Sequence, residues 1–212
     1  MQERLRDNRR SIVLAARRLI AIGGFRATSM TAVARETRLS TGALYRYFPS
    51  KSELLVEVLT DAVTHEVRIL RGIIERPASA RQRLRDAVNS FATRAMAGPN
   101  LAYAFIAEPA DRRVEAARLV CRAQFSEVFK DVLRDGIAAG EFPQQPIDIS
   151  AACIVGAFTE ALVRPMAAGP SPPKSVESER LIRSIVEFCL RACSGPGSGL
   201  GAAGHSSTEQ KQ

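Results

Sequence analysis

Wherever this chain shows a hydrophobic period, the period is helical. Apolar residues recur at i, i+3, i+4 and i+7 along Ile12, Ala15, Ala16, Leu19 and Ile20. They do so again along Leu54, Leu55, Val58, Leu59, Ala62, Val63 and Val67. No segment alternates strictly with β-branched enrichment, so the chain reads as all-α. Punctuation divides the pattern. Gly23-Gly24 ends a first helix over about 7–22, and Ser29 is placed to cap a second, "MTAVARET". Ser40 caps a third, "TGALYRYF", which Pro49 ends, and "SKSE" from Ser50 to Glu53 is a capping box for a fourth helix running to about Ile74. The spacing predicts further helices at about 79–97, 101–108, 112–139, 147–168 and 175–193, with breaks at "GPN", "EPA", "AGEFPQQP" and "AGPSPP". From Ser194 the chain is Gly, Ser, Ala and Gln, too poor in large apolar groups to order itself.

Charge separates the first quarter from the rest. Residues 1–51 hold 11 Lys+Arg against 3 Asp+Glu, a surplus equal to the +8 of all 212 residues, so the remainder is balanced. Cations gathered in this way suit a polyanion, whose condensed counterions they release on binding.

Within that basic quarter, residues 29–48 have the form of a helix-turn-helix. Two short helices flank the turn "RLS", with Val33, Leu39, Leu44 and Phe48 as buried anchors. The second helix has too few large apolar residues for a core helix. Thr41, Ala43, Tyr45, Arg46 and Tyr47 point away from Leu44 and Phe48, with Tyr45 expected to pack partly inward and Tyr47 to take phosphate. Such a helix fits the major groove of DNA, where small side chains and an arginine reach base edges. Gly42, unfavourable inside a helix, makes sense where the backbone must come close to another helix or to DNA.

The stretch "RATSMTAVARETRLSTGALYRYFPSKSELLVEVL" resembles the DNA-binding domain of the tetracycline-repressor (TetR) family of bacterial transcription regulators. Gly42, Leu44, Tyr45, Tyr47, Phe48 and Lys51 match the family's G-x-L-Y-x-H/Y-F-x-x-K run, and the likeness extends over about residues 6–66. The resemblance implies an operator-binding homodimer, most often a repressor, with a C-terminal effector-binding and dimerisation domain. Carried over by residue, it implies phosphate contacts from Tyr47 and Lys51, backbone contacts from Ser29 and Thr31, and a groove face of Thr41, Gly42, Ala43 and Arg46. Two positions depart from the common pattern. Arg38 stands where glycine is frequent, which suggests a left-handed residue and an extra phosphate contact, and Thr41 replaces a frequent lysine. The expected division is a DNA-binding domain over 1–51, an effector and dimerisation domain over 52–193, and a disordered tail over 194–212.

The C-terminal helices offer lining for an effector pocket in Phe91, Tyr103, Phe105, Phe125, Phe129 and Phe158, each also an ordinary core residue. Glu108, set between "AFIA" and Pro109, is expected to be buried with a partner, preferably an arginine in a structural ion pair. Small residues on the penultimate helix, Ala152 and Gly156 among them, and a stripe of Leu181, Ile182, Ile185, Val186 and Cys189 on the last are expected to form a four-helix dimer interface.

Other chemistries find no footing. There is no nucleophile elbow, HExxH or Walker loop, so no enzyme is expected and no cofactor. "GLGAAG", residues 199–204, matches a dinucleotide-binding pattern by letters alone, with no strand before it. Cys121, Cys153, Cys189 and Cys193 form no paired metal motif and read as small buried thiols. No run approaches the ~18 consecutive apolar residues of a membrane span, and a cytoplasmic protein is expected.

Overall fold

The structure, a computed structural model, describes residues 2–167 and 175–194. Among these, every regular element is an α-helix: α1 Gln2–Ala27, α2 Met30–Thr37, α3 Thr41–Tyr47, α4 Lys51–Ile74, α5 Ala80–Ala97, α6 Pro99–Ile106, α7 Arg112–Ala138, α8 Ile147–Ala167 and α9 Ser175–Cys193. The tail from residue 195, with its glycine pattern, lies outside the described residues.

Serine and aspartate caps set the starts. Ser29, Ser40, Ser50 and Ser79 each accept from a backbone N–H three residues on, and Asp111 opens α7 by accepting from Arg113 and Val114. Two boundaries differ from the expectation. α1 begins near the chain start, because the arginine-rich segment contains no glycine or proline to stop it. α6 begins at Pro99, which suits the first helical turn because proline lacks the N–H that would be orphaned there.

The cores explain the arrangement. Ile12, Ala16, Ile20, Phe25, Val33, Leu44, Phe48, Leu54 and Val58 form an N-terminal cluster that also receives Ala104 from α6 and Val114 from α7. A larger cluster gathers Leu70, Leu84, Val88, Phe129, Phe158, Leu162 and Ile185. α4 serves both, its first turns in the N-terminal core and the rest in the C-terminal one. The two cores thus share α4 and meet again at α6 and α7.

Candidate nucleic-acid interface and cavity

The helix-turn-helix is built from α2 and α3. At the end of α2, Leu39 N–H donates to the Ala34 carbonyl (2.9 Å) and Arg38 N–H to that of Arg35 (3.2 Å), which closes a Schellman motif. The geometry requires a left-handed residue, and Arg38 supplies it at φ 57°, ψ 28°. A glycine would sit there without strain; the arginine instead projects a cation from the turn.

α3 lies with Leu44 and Phe48 buried beneath it and its other face open. Tyr45 and Arg46 are exposed, as is Gly42, and Thr41 and Ala43 are half-exposed. Among the described residues, the side chains of Thr41, Tyr45 and Arg46 find no hydrogen-bond or ion-pair partner. The two tyrosines exchange their expected places. Tyr45 is 46% exposed, whereas Tyr47 packs against the N-terminal core and its hydroxyl accepts from Asn8 Nδ2 (3.0 Å). The cause is the helix period, which puts Tyr47 on the flank that faces α1. That hydroxyl keeps its own proton for an outside acceptor, as does Ser29 Oγ, occupied only as acceptor from Ala32 N–H (3.0 Å).

Arg9 fixes the end of α3 and is a residue that sequence reasoning missed. Its Nη1 donates to the Tyr47 carbonyl (2.9 Å), its Nε and Nη2 fork onto Glu57 (3.2 Å each), and its guanidinium lies 4.3 Å from the Phe48 ring centroid. One arginine of α1 therefore ties α3 to α4, and its partners lie up to 48 positions away, beyond any local pattern. Lys51, opening α4, is half-buried and its Nζ donates to the Phe25 carbonyl (2.7 Å), leaving two of its three N–H donors without a partner among the described residues.

Gly42 carries a direct test. A Cβ built there meets nothing within 4 Å, so no neighbouring helix needs the glycine. Gly42→Ala is expected to stabilise the protein by about 0.5–1 kcal/mol, because alanine is the better helix former. It is expected at the same time to weaken duplex binding, since the methyl group stands on the open face; thermal melts and fluorescence anisotropy on one preparation check the opposite signs.

A cavity of about 400 Å³ lies among α4, α5, α6 and α7. Leu59, Ala62 and Val63, Phe91, Leu101, Phe105 and Ile106, and Cys121 and Phe125 make its wall apolar. Arg17, Glu66, Arg94, Arg118 and Arg122 add charge at its edge, with His65 beside them. Arg94 forks onto Glu66 (2.7–3.1 Å), while Arg17 and Arg122 have no ion pair among the described residues. Of the expected pocket residues, Phe91, Phe105 and Phe125 line this cavity. Phe129 and Phe158 do not: both are fully buried, with Phe158 stacked behind Phe91 at 4.7 Å between ring centroids. Tyr103 and Glu108 face a separate groove at the end of α1, beside Gly23 and Gly24.

Glu108 is buried, as expected, but without an arginine on its carboxylate. Its Oε2 accepts from Phe25 N–H (2.8 Å). Arg118, also buried, donates instead to the Ala104 carbonyl (2.7 Å), to the Glu108 backbone carbonyl and to Glu115 (2.5 Å). The carbonyls at the end of α6 lack helical partners, and they outcompete the carboxylate for this guanidinium.

The expected dimer stripe on α9 is also corrected. Ile182, Ile185, Val186 and Cys189 are buried in the protomer's own core and Leu181 packs against it, because α9 lays this face on α5 and α8. Burial pushes the Cys189 and Cys193 thiols up to about 12 and about 11. Ala152 and Gly156 do face outward. Beside them the sequence reading missed Ile149 on α8 and Phe188 on α9, 65% and 53% exposed.

A helix-turn-helix with one open face thus sits against a helical bundle that holds a cavity. Residues 12–58 match the family model described as bacterial regulatory proteins, tetR family. The HTH-type transcriptional repressor KstR of Mycolicibacterium smegmatis is 44% identical over 57 residues, 27% of this chain and 28% of that one. The HTH-type transcriptional activator FasR of the same organism is 36% identical over 87 residues, 41% of this chain and 40% of that one. The chain thus matches only about a quarter to two-fifths of the length of these relatives. The fold extends further. FadR from Bacillus subtilis, solved in complex with stearoyl-CoA, superposes with a TM-score of 0.72 at 18% identity, covering 86% of this chain and 97% of that one. A TetR-family regulator from Mesorhizobium loti gives 0.71 at 20% identity over 89% and 97%. No helix of the described residues is long and apolar enough to cross a membrane.

Proposed function

We propose that this protein is a ligand-responsive transcriptional repressor of the cytoplasm, which binds a palindromic operator as a homodimer and performs no catalysis. The observation that carries the reading is the outer face of α3. It presents Thr41, Gly42, Ala43, Tyr45 and Arg46 without protein partners, within the 51 residues that hold the chain's whole surplus of positive charge. Thr41, Ala43 and Arg46 read base edges, while Ser29, Thr31, Arg38, Tyr45, Tyr47 and Lys51 hold phosphates. The cavity receives the effector. An apolar wall with two unpaired arginines, Arg17 and Arg122, suits a molecule with a hydrocarbon body and an anionic group. FadR's stearoyl-CoA is one ligand of that description. Occupancy moves α4 and α6, which both line the cavity and both enter the N-terminal core, and so changes the separation of the two α3 helices.

Replacing Arg46 by alanine and Tyr47 by phenylalanine tests the DNA reading. The arginine alone is expected to cost about 1–3 kcal/mol of duplex affinity while far-ultraviolet circular dichroism stays unchanged. Undiminished affinity in a folded double variant would assign α3 a merely structural role.

A further inference from the structure

Lys51 is held in place from the far side of the N-terminal core. The chain of contacts starts at α6, whose Leu101, Ala102, Phe105 and Ile106 line the cavity. At the start of α6, Asn100 Nδ2 donates to the carbonyls of Ala21 (3.2 Å) and Ile22 (3.0 Å), the last helical residues of α1 before its break. Just past the end of α6, the Glu108 carboxylate accepts from Phe25 N–H (2.8 Å). The Phe25 carbonyl, on the other side of the same residue, accepts from Lys51 Nζ (2.7 Å).

The intervening turn is made for this contact. Gly24 takes φ 68°, ψ −164°, a conformation that only glycine adopts without strain, and a Cβ built on it would stand 2.5 Å from Glu108 Oε2. The carboxylate therefore fits against bare backbone. Phe25 itself is 4% exposed, and the Arg118 guanidinium, which also binds the Glu108 carbonyl, lies 5.7 Å from its ring centroid.

We infer that Glu108 is a positioning residue for DNA binding: through Phe25 it sets where the Lys51 ammonium stands, and so connects the cavity wall on α6 to the DNA face. The relay rests on the operator reading proposed above. It is a second route beside α4, because α6 touches the N-terminal domain at the end of α1 rather than along the fourth helix. A shift of α6 displaces Phe25 and carries the lysine with it.

The test uses the full chain and a duplex enriched from a random pool by the unmodified protein. Two readouts are taken: the side-chain ammonium resonance of Lys51 without DNA, and duplex affinity by anisotropy. Glu108→Ala is expected to move the Lys51 resonance and to weaken binding about tenfold. Glu108→Gln, which keeps an acceptor for Phe25 N–H, is expected to restore most of both. In a Lys51→Met background, Glu108→Ala is expected to cause no further loss, because the effect runs through the lysine. Should Glu108→Ala fail to fold, Asn100→Ala, which removes the solvent-exposed hydrogen bonds to Ala21 and Ile22, replaces it with the same expected dependence on Lys51. An unmoved Lys51 resonance, or losses that multiply in the double variant, would overturn the relay. A wild-type protein that enriches no duplex would overturn the operator reading itself.

Discussion

Replacing Phe48 by alanine is expected to destabilise the N-terminal domain by about 3–5 kcal/mol and to abolish duplex binding. The side chain is 1% exposed, closes the core beneath α3 and carries the Arg9 guanidinium on its ring. Truncation leaves a cavity under the recognition helix and removes the surface on which Arg9 rests while it binds the Tyr47 carbonyl and Glu57. Amide exchange should therefore rise first over residues 30–48, ahead of the C-terminal helices. Unchanged protection there would mean that α3 is held by something other than this core. The contrast with Gly42→Ala is informative, because both variants bind duplex less well but only one loses stability.

In the proposed homodimer, Phe188→Glu is expected to separate the protomers without unfolding either. The ring is half-exposed on α9, so its removal takes little from the protomer's own core. A glutamate from each protomer would bring like charges together across a two-fold axis. A protomer that reads one half-site forfeits the gain from linked binding, so duplex affinity should fall by about 100-fold or more. Sedimentation velocity checks the first part and anisotropy the second. A variant that remains dimeric would move the interface away from α8 and α9.

The fold was readable because its signals are local. Serine caps at Ser29, Ser40 and Ser50, the glycine pair after Ile22 and the helical stripe of α4 all act within a turn or two of where they stand in the chain. Arg38 is of the same kind, since a Schellman motif needs its left-handed residue one step past the helix. The face of α3 was legible in composition but not in rotation, so the more inward of its two tyrosines is Tyr47 and not Tyr45. Longer-range choices were not legible. Glu108 had arginines close by in sequence and an N–H 83 positions away, and the N–H took it. Nor does a stripe such as Ile182–Val186 tell whether it will cover its own bundle or a partner's. The cavity posed the same difficulty, since Phe91 and Phe158 are both aromatic core residues and only packing separates the one that lines it from the one behind.

The central claim, that this protein reads a palindromic operator through α3, is tested most directly by selection of random duplex DNA on the purified protein at near-physiological salt, followed by sequencing. Enrichment of an inverted repeat whose half-sites stand about one helical turn, or a multiple of it, apart is expected, with loss of that enrichment in Arg46→Ala. A folded, dimeric protein that enriches no sequence would contradict it.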